Sequence, residues 1–595
     1  MATGFLPRSL LSSSTLQNEL YRFPSQRALR VHTPINLQVR FSVTAEASNL
    51  TEDRRTANYQ PSIWSYDYLQ SLNNDHVVET YKKKATKLEA AVRRMITDEN
   101  AELLVVLDII DNVQRLGLGY RFENEIRRAL DRFVSSGIFD AAVNNGLHAT
   151  ALSFRLLREH GYKVSPDVLM KFKGENGNFK ECLAEDVKAI LGLYEASFLA
   201  FEGENLLDEA NKFARLHLKG LKEKENIGKD IVEQVNHELE LPLHRRTQRL
   251  EALWSIEAYS KRDDANQALL ELAVMDFNMV QSIHQRDLRD MSRWWRNMGL
   301  PNKLDFARDR LTESFFWATG MVFEPQYSNC RRALTKAAKL ITLLDDVYDV
   351  YGTLDELELF TDAVQRWDVN AINTLPDYMK LCFLALYNTV NEMTYEALME
   401  TGENILPYLT NAWANLLKTF LQEAKWFYNK STPTFEEYLE NAWMSVSGPL
   451  LLVSAYCFLS KKSTKQELEN LEKNHNLLRW PSIIFRLCND MGSSSAELER
   501  GETGNSITYY MNDNGVTEEV AKQHVRNLID ETWKKMNKER IENSILAKPF
   551  VETAFNLARI AHCIYQYGDG HSAPDERSKK RVASVIIEPL SLKDR

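Results

Sequence analysis

At 595 residues the chain is longer than one hydrophobic core can organise, so at least two domains are expected. A net charge of −10 with no evident basic face argues against a nucleic-acid partner. The six cysteines are scattered without a CxxC pair, which excludes a disulfide framework or a zinc pattern and fits a reducing compartment.

The first segment differs from the rest. Residues 1–45 carry Arg8, Arg22, Arg27, Arg30 and Arg40, many serines and a single acid, Glu19. This Arg-rich, Ser-rich, acid-poor composition predicts an organelle transit peptide over residues 1–50. Beyond Trp64 almost every stretch has apolar residues at helical spacing, as in Ala101–Ile110, Leu183–Leu193 and Leu269–Val280. Strand-like alternation is nearly absent, and turn signals are short: Ser165-Pro166, Gly174–Gly177, Ser431-Thr432-Pro433. The polar run Ser260–Asp264 marks a domain boundary, giving a helical domain over 54–262 and a second over 263–595. The pair Asp263-Asp264 lacks a third acid at helical spacing and reads as a linker or helix start. The richest apolar stretch, Leu450–Leu459, is too short to span a bilayer, so no membrane span is expected.

The run Leu343-Leu344-Asp345-Asp346-Val347-Tyr348-Asp349 places three carboxylates among apolar neighbours. Burying unpaired carboxylates together is costly, so a cation is expected there. On a helix Asp345 and Asp349 share one face and form a hard-oxygen platform suited to Mg²⁺, which also takes substrate phosphate oxygens. The competing reading, a solvated acidic face, is opposed by Leu340, Ile341, Leu343, Leu344, Val347 and Val350.

Downstream, Asn489, Ser493 and Glu497 fall four residues apart and form one helical stripe of oxygen ligands, beside buried-type residues Ile483, Ile484, Phe485 and Leu487. Mixed amide, hydroxyl and carboxylate oxygens suit a hard cation. Arg308-Asp309-Arg310 offers two guanidiniums to a multi-oxygen anion such as diphosphate, and Arg486 adds a further anion contact. No GxxxxGK[ST] loop is present, and Val347 sits where an EF-hand loop begun at Asp345 needs an oxygen ligand. The elements converge on a diphosphate held with Mg²⁺.

In these motifs, taken in order and spacing, the chain resembles plant terpene synthases along nearly its whole length after the leading segment. Asp345–Asp349 resembles the family's aspartate-rich motif, and Asn489, Ser493 and Glu497 its second metal motif. Arg308 and Arg310 resemble its RxR pair. Arg54-Arg55, eight residues, then Trp64 resembles the tandem-arginine motif of monoterpene-forming members. The resemblance implies an all-α, two-domain protein, with a class I helical bundle as the C-terminal domain and a largely non-catalytic N-terminal helical domain. It implies a lyase that cleaves the carbon–oxygen bond of a prenyl diphosphate. The cofactor would be Mg²⁺, roughly three ions to a site, with Mn²⁺ able to substitute. Asp345, Asp349, Asn489, Ser493 and Glu497 would bind metal, and Arg308, Arg310 and Arg486 would grip the diphosphate. Asp346 would play a supporting role. Trp317 is the aromatic candidate for cation–π stabilisation of the carbocation, with a core tryptophan as the alternative. Tyr565 and Asp569 resemble a late lid element. A plastid location and a monomer or homodimer are implied. Without a DxDD motif or a second DDxxD, neither protonation-initiated cyclisation nor chain elongation is supported.

Within the family the chain resembles isoprene synthases and the related ocimene and myrcene synthases. Four pocket positions that tend to be Phe, Ser, Phe and Asn in isoprene synthases read Ala338, Val446, Phe485 and Asn505 here, the last where many monoterpene synthases carry Lys. Ala338 precedes Asp345 by about two helical turns. A methyl there opens space for a ten-carbon chain, so geranyl diphosphate and an acyclic product, (E)-β-ocimene or myrcene, are expected first. The alternatives are isoprene from dimethylallyl diphosphate, or linalool or α-terpineol. A catalytically silent diphosphate-binding helical protein is the alternative from another class.

Overall fold

The computed structural model describes residues 57, 59–74, 76–135, 146–221, 228–459, 471, 476–500, 504–542 and 546–591, with backbone only at 76, 103 and 494–500. The chain divides into two compact units, Met1–Asp53 and Arg54–Arg595, and the described residues all belong to the second. The expected transit peptide and Arg54-Arg55 lie outside the described residues.

The second unit is all-α. Among the described residues the only extended pairing is an isolated bridge between Lys173 and Phe179. Helix starts are written into the sequence. At Thr434 the hydroxyl accepts from the Glu437 amide at 3.2 Å, and Glu437 accepts from the Thr434 amide at 2.9 Å. This reciprocal pair satisfies two donors that the helix Phe435–Ser445 would otherwise leave open.

The buried apolar residues form two large cores. One gathers helices between Ala85 and Met279, including Phe122, Phe154, Leu193 and Phe277. The other runs from Leu288 to Ile586, with Leu69 added from the N-terminal segment. A single helix, Gln267–Met298, serves both. Asn266 caps its start by accepting from the Leu269 amide, and Gly299 ends it in the left-handed region at φ 68°. Its first half places Leu272 and Phe277 in one core, and its second half places Leu288 and Trp295 in the other. Of the polar run at 260–264, Ser260 ends the helix Gln248–Ser260 and residues 261–264 form the exposed turn before this one, where Asp264 pairs with Arg262 at 2.7 Å.

The run Phe435–Leu459 is apolar enough by composition to cross a membrane, but 89% of its most apolar window is buried within the protein. The chain also breaks within it: Ser447 takes φ 72° between the helices Phe435–Ser445 and Gly448–Leu459. It is a core element of the bundle, packed with the helices Ser328–Asp346, Leu406–Tyr428, Asn476–Arg500 and Lys548–Tyr565.

Candidate active site

The helix Ser328–Asp346 builds one wall of a cavity of about 170 Å³. Ala338, Ile341, Thr342 and Asp345 line it at successive turns, so the wall passes from methyl and methylene groups to carboxylate along the helix axis. After Asp346 the turn widens: the Gly352 amide reaches back five residues to the Val347 carbonyl at 2.8 Å. Such wide turns often occur at functional sites, and this one carries Asp349 to the cavity. A Cβ at residue 352 would lie 2.9 Å from the Val347 oxygen, so the widened turn closes on glycine.

Asp345 and Asp349 are partly exposed to the cavity, whereas Asp346 is fully buried. Asp346 accepts the Arg308 amide at 2.8 Å, and its other oxygen lies 3.1 Å from Arg308 Nε. Burial pushes the Asp346 carboxyl up to about 6 despite Arg308. Burial would lower the Arg308 guanidinium, yet Asp346, Tyr59 and Asp345 hold its pKa well above the usual value. Arg308 also pairs with Asp345, donates to Ser572 Oγ at 2.6 Å and stacks over the Tyr59 ring. Arg308 and Tyr59 both line the cavity.

The opposite wall comes from the helix Asn476–Arg500, where Phe485, Arg486 and Asn489 face the cavity. Arg486 donates to Asn489 Oδ1, Ser445 Oγ and the Ala442 carbonyl at 3.0–3.1 Å. Ser493 is buried beside Asn489, and its hydroxyl donates back to the Asn489 carbonyl at 2.8 Å. Glu497 continues this helix, but its side chain lies outside the described residues. Arg310 does not reach the cavity. Its guanidinium donates to the carbonyls of Ser572, Gln60 and Asp309, which makes it a strut between three segments.

Trp317, Phe485 and Tyr565 form an aromatic cluster on the cavity wall. Ring centroids are 4.6 Å apart for Trp317–Phe485 and 6.1–6.2 Å for the pairs with Tyr565. Trp317 is therefore both a core and a cavity residue. Val446, Asn505 and Asp569 line the cavity as well. Asn505 caps the helix Ser506–Asn514, accepting from the amides of Ile507 and Thr508, while its buried Nδ2 makes no hydrogen bond among the described residues.

Among the cavity residues not foreseen are a carboxylate and an imidazole. Glu423 accepts from Ser445 Oγ at 2.6 Å, and burial pushes its carboxyl up, opposed by Arg486 and Ser445. It interrupts the stripe Trp413, Leu416, Leu417, Phe420, Phe427, and an acid on an apolar face was the available signal. His571 contacts Thr342 Oγ1 at 3.0 Å, and burial beside Arg308 lowers its pKa to about 3. No spacing rule marked it.

Carboxylates from one wall, an amide oxygen from the other and two guanidiniums thus meet in one cavity. This donor set fits a hard divalent cation shared with phosphate oxygens. Residues 63–239 match the model of the terpene synthase N-terminal domain, and residues 296–535 match that of the terpene synthase metal-binding domain. The chain belongs to the terpene synthase family. This terpene synthase is 63% identical over 580 residues to a chloroplastic isoprene synthase of Populus alba, spanning 97% of each chain. It is 58% identical to a chloroplastic tricyclene synthase of Medicago truncatula, over 90% of this chain and 92% of that one. A crystal structure of grey poplar isoprene synthase with three Mg²⁺ ions and dimethylallyl-S-thiolodiphosphate superposes with a TM-score of 0.83. It is 65% identical and covers 89% of this chain and 99% of its own. This terpene synthase is accordingly a metal-dependent chloroplast lyase acting on a prenyl diphosphate.

Proposed function

We propose that the chain ionises a short allylic diphosphate and releases an acyclic hydrocarbon as the cation gives up a proton to the departing diphosphate. The observation that carries this is the polarity of a single cavity: carboxylate, amide and guanidinium groups beside an aliphatic and aromatic lining. In this reading Asp345, Asp349, Asn489, Ser493 and Glu497 hold Mg²⁺, which when bound neutralises charge on the leaving diphosphate. Arg308 and Arg486 donate to the diphosphate oxygens as the C–O electron pair departs. Trp317, Phe485 and Tyr565 turn ring faces toward the allylic cation, and the apolar walls exclude water. Residues 263–595 supply this chemistry, while the segment at 59–64 helps to close the cavity through Tyr59.

The relatives favour dimethylallyl diphosphate as the substrate and isoprene as the product. The isoprene synthases of poplar are similar to this chain over nearly its full length, and the grey poplar enzyme was solved with a dimethylallyl analogue. Isoprene, an alternative in the sequence reading, thus gains better support from the comparisons than the acyclic monoterpene expected first. A specific observation favours geranyl diphosphate and an acyclic monoterpene as a second reading. Ala338 and Val446 line the cavity with small aliphatic groups at two of the four positions noted above. Purified protein lacking its leader, given each diphosphate separately with Mg²⁺, decides by gas chromatography of the products. Dominant isoprene supports the first reading and dominant ocimene or myrcene the second. Absence of diphosphate release from both substrates would overturn the proposal.

A further inference from the structure

Arg308 sits on an irregular stretch, 303–310, between a short turn of helix at Leu300–Asn302 and the helix Leu311–Met321. A loop without a helical or strand ladder takes its position from whatever satisfies its peptide groups. At residue 308 both groups are held by one neighbouring helix. Asp346 accepts the amide, and Lys339 Nζ donates to the carbonyl at 2.9 Å. Lys339 and Asp346 are seven residues apart on the helix Ser328–Asp346, so they occupy the same face.

We propose that Lys339 is a positioning residue for diphosphate binding: it clamps the main chain at Arg308 so that the guanidinium is presented to the cavity. The proposal rests on the reading that Arg308 grips a diphosphate.

Three observations support it. Lys339 is only 1% exposed and does not line the cavity, so it acts through another group. Its ammonium is fixed from several sides: the Arg308 carbonyl, Asp309 Oδ1 at 3.7 Å, and the Trp295 ring, whose centroid is 4.3 Å away. Trp295 Nε1 in turn donates to Asp309 Oδ1 at 3.0 Å, so ring, carboxylate and ammonium brace the residue after Arg308. Finally, the site is expensive for a cation. Desolvating an ammonium costs more than a partly exposed carboxylate and a carbonyl return, and a methionine would fill the same volume without that cost. Burial lowers the Lys339 pKa to about 8 against the pull of Asp309 and Asp346. A lysine at such a place is explained by what it holds.

The experiment measures binding of inorganic diphosphate, in the presence of Mg²⁺, by titration calorimetry, together with kcat and KM on the preferred substrate. Lys339→Met should weaken diphosphate binding about tenfold, the worth of one displaced charge-assisted contact. Lys339→Gln, which keeps a donor within reach of the carbonyl, should recover most of the loss and supplies the test if the Met variant does not fold. In an Arg308→Gln background Lys339→Met should add less than about a twofold further effect, because coupled residues are not additive. Diphosphate affinity unchanged in both Lys339 variants, or an equal loss with and without Arg308, would overturn the proposal. Failure of the wild-type protein to bind diphosphate would instead overturn the functional reading beneath it.

Discussion

Asp346 meets Arg308 twice, once through the peptide amide at 2.8 Å and once through Nε at 3.1 Å, while its neighbour Asp345 meets only the guanidinium and keeps a partly exposed side chain. The middle aspartate is thus a structural partner of an arginine, and the outer ones are left to the cavity.

Asp346→Ala should therefore cost about 3 kcal/mol of stability, because it strips a buried guanidinium of its carboxylate. Asp345→Ala should cost less than about 1 kcal/mol of stability and should lower diphosphate release about a hundredfold. Thermal unfolding and a diphosphate-release assay on both variants separate the two effects. Equal stability losses would contradict the division of labour.

Ala338→Phe should reduce turnover of geranyl diphosphate about tenfold or more while sparing dimethylallyl diphosphate. Ala338 lines the cavity two turns along the helix from Asp345, and a phenyl ring there fills space that a ten-carbon chain needs. Product analysis on both substrates checks it. An unchanged preference would remove residue 338 from the determinants of chain length.

Gly492→Ala should damage activity although the residue binds nothing. A Cβ there would lie 2.8 Å from the Tyr565 oxygen and 3.2 Å from that of Gly568. The backbone that must move continues into Asp569, His571 and Ser572, all of which line the cavity. About 1–3 kcal/mol of destabilisation is expected from overpacking, with a fall in kcat measurable at temperatures where the variant is still folded.

Stability should fall as the solution is acidified below about pH 6.5. His160 and His562 are held near a pKa of about 3, chiefly by burial, with Lys548 and Arg245 respectively adding to it. For a base with a depressed folded pKa the unfolded chain takes the proton first, so the stabilisation is complete above pH 6.5 and is lost as pH drops toward 3. Each group contributes a slope of about 1.4 kcal/mol per pH unit within that window. His562→Gln retains an acceptor for Trp533 Nε1, which now donates to His562 at 3.0 Å, and should remove one group's slope. Denaturant unfolding at pH 7 and 5.5 measures it.

The chemistry of the site was legible in the sequence because metal and anion binding need particular side chains at fixed spacing. Asp345, Asp349, Asn489, Arg308 and Arg486 were all marked this way, and the structure gathers them in one cavity. What the sequence did not reveal depends on contacts across long separations. Nothing local told Arg310 to turn toward the carbonyls of Ser572 and Gln60. Lys339 reads locally as an ordinary helix residue, since its meaning lies in Arg308, which is brought to it by the fold. The helical segments followed from periodicity, and their bundle architecture from the family resemblance. The break at Ser447, which folds one apolar run into two helices, did not.

The helix Gln267–Met298 carries a consequence for any attempt to reduce this enzyme to its chemistry. The polar turn at 260–264 invites a cut, yet the packing changes hands some twenty residues later, between Phe277 and Leu288. A fragment begun at residue 263 would carry a helix whose first three turns point Leu269, Leu272, Ala273 and Phe277 at water. A fragment begun later would lose the continuous rod on which Trp295 stands. Trimming therefore exposes oil or removes scaffolding, and the two halves should melt as one body, with no temperature at which the catalytic half outlives its companion.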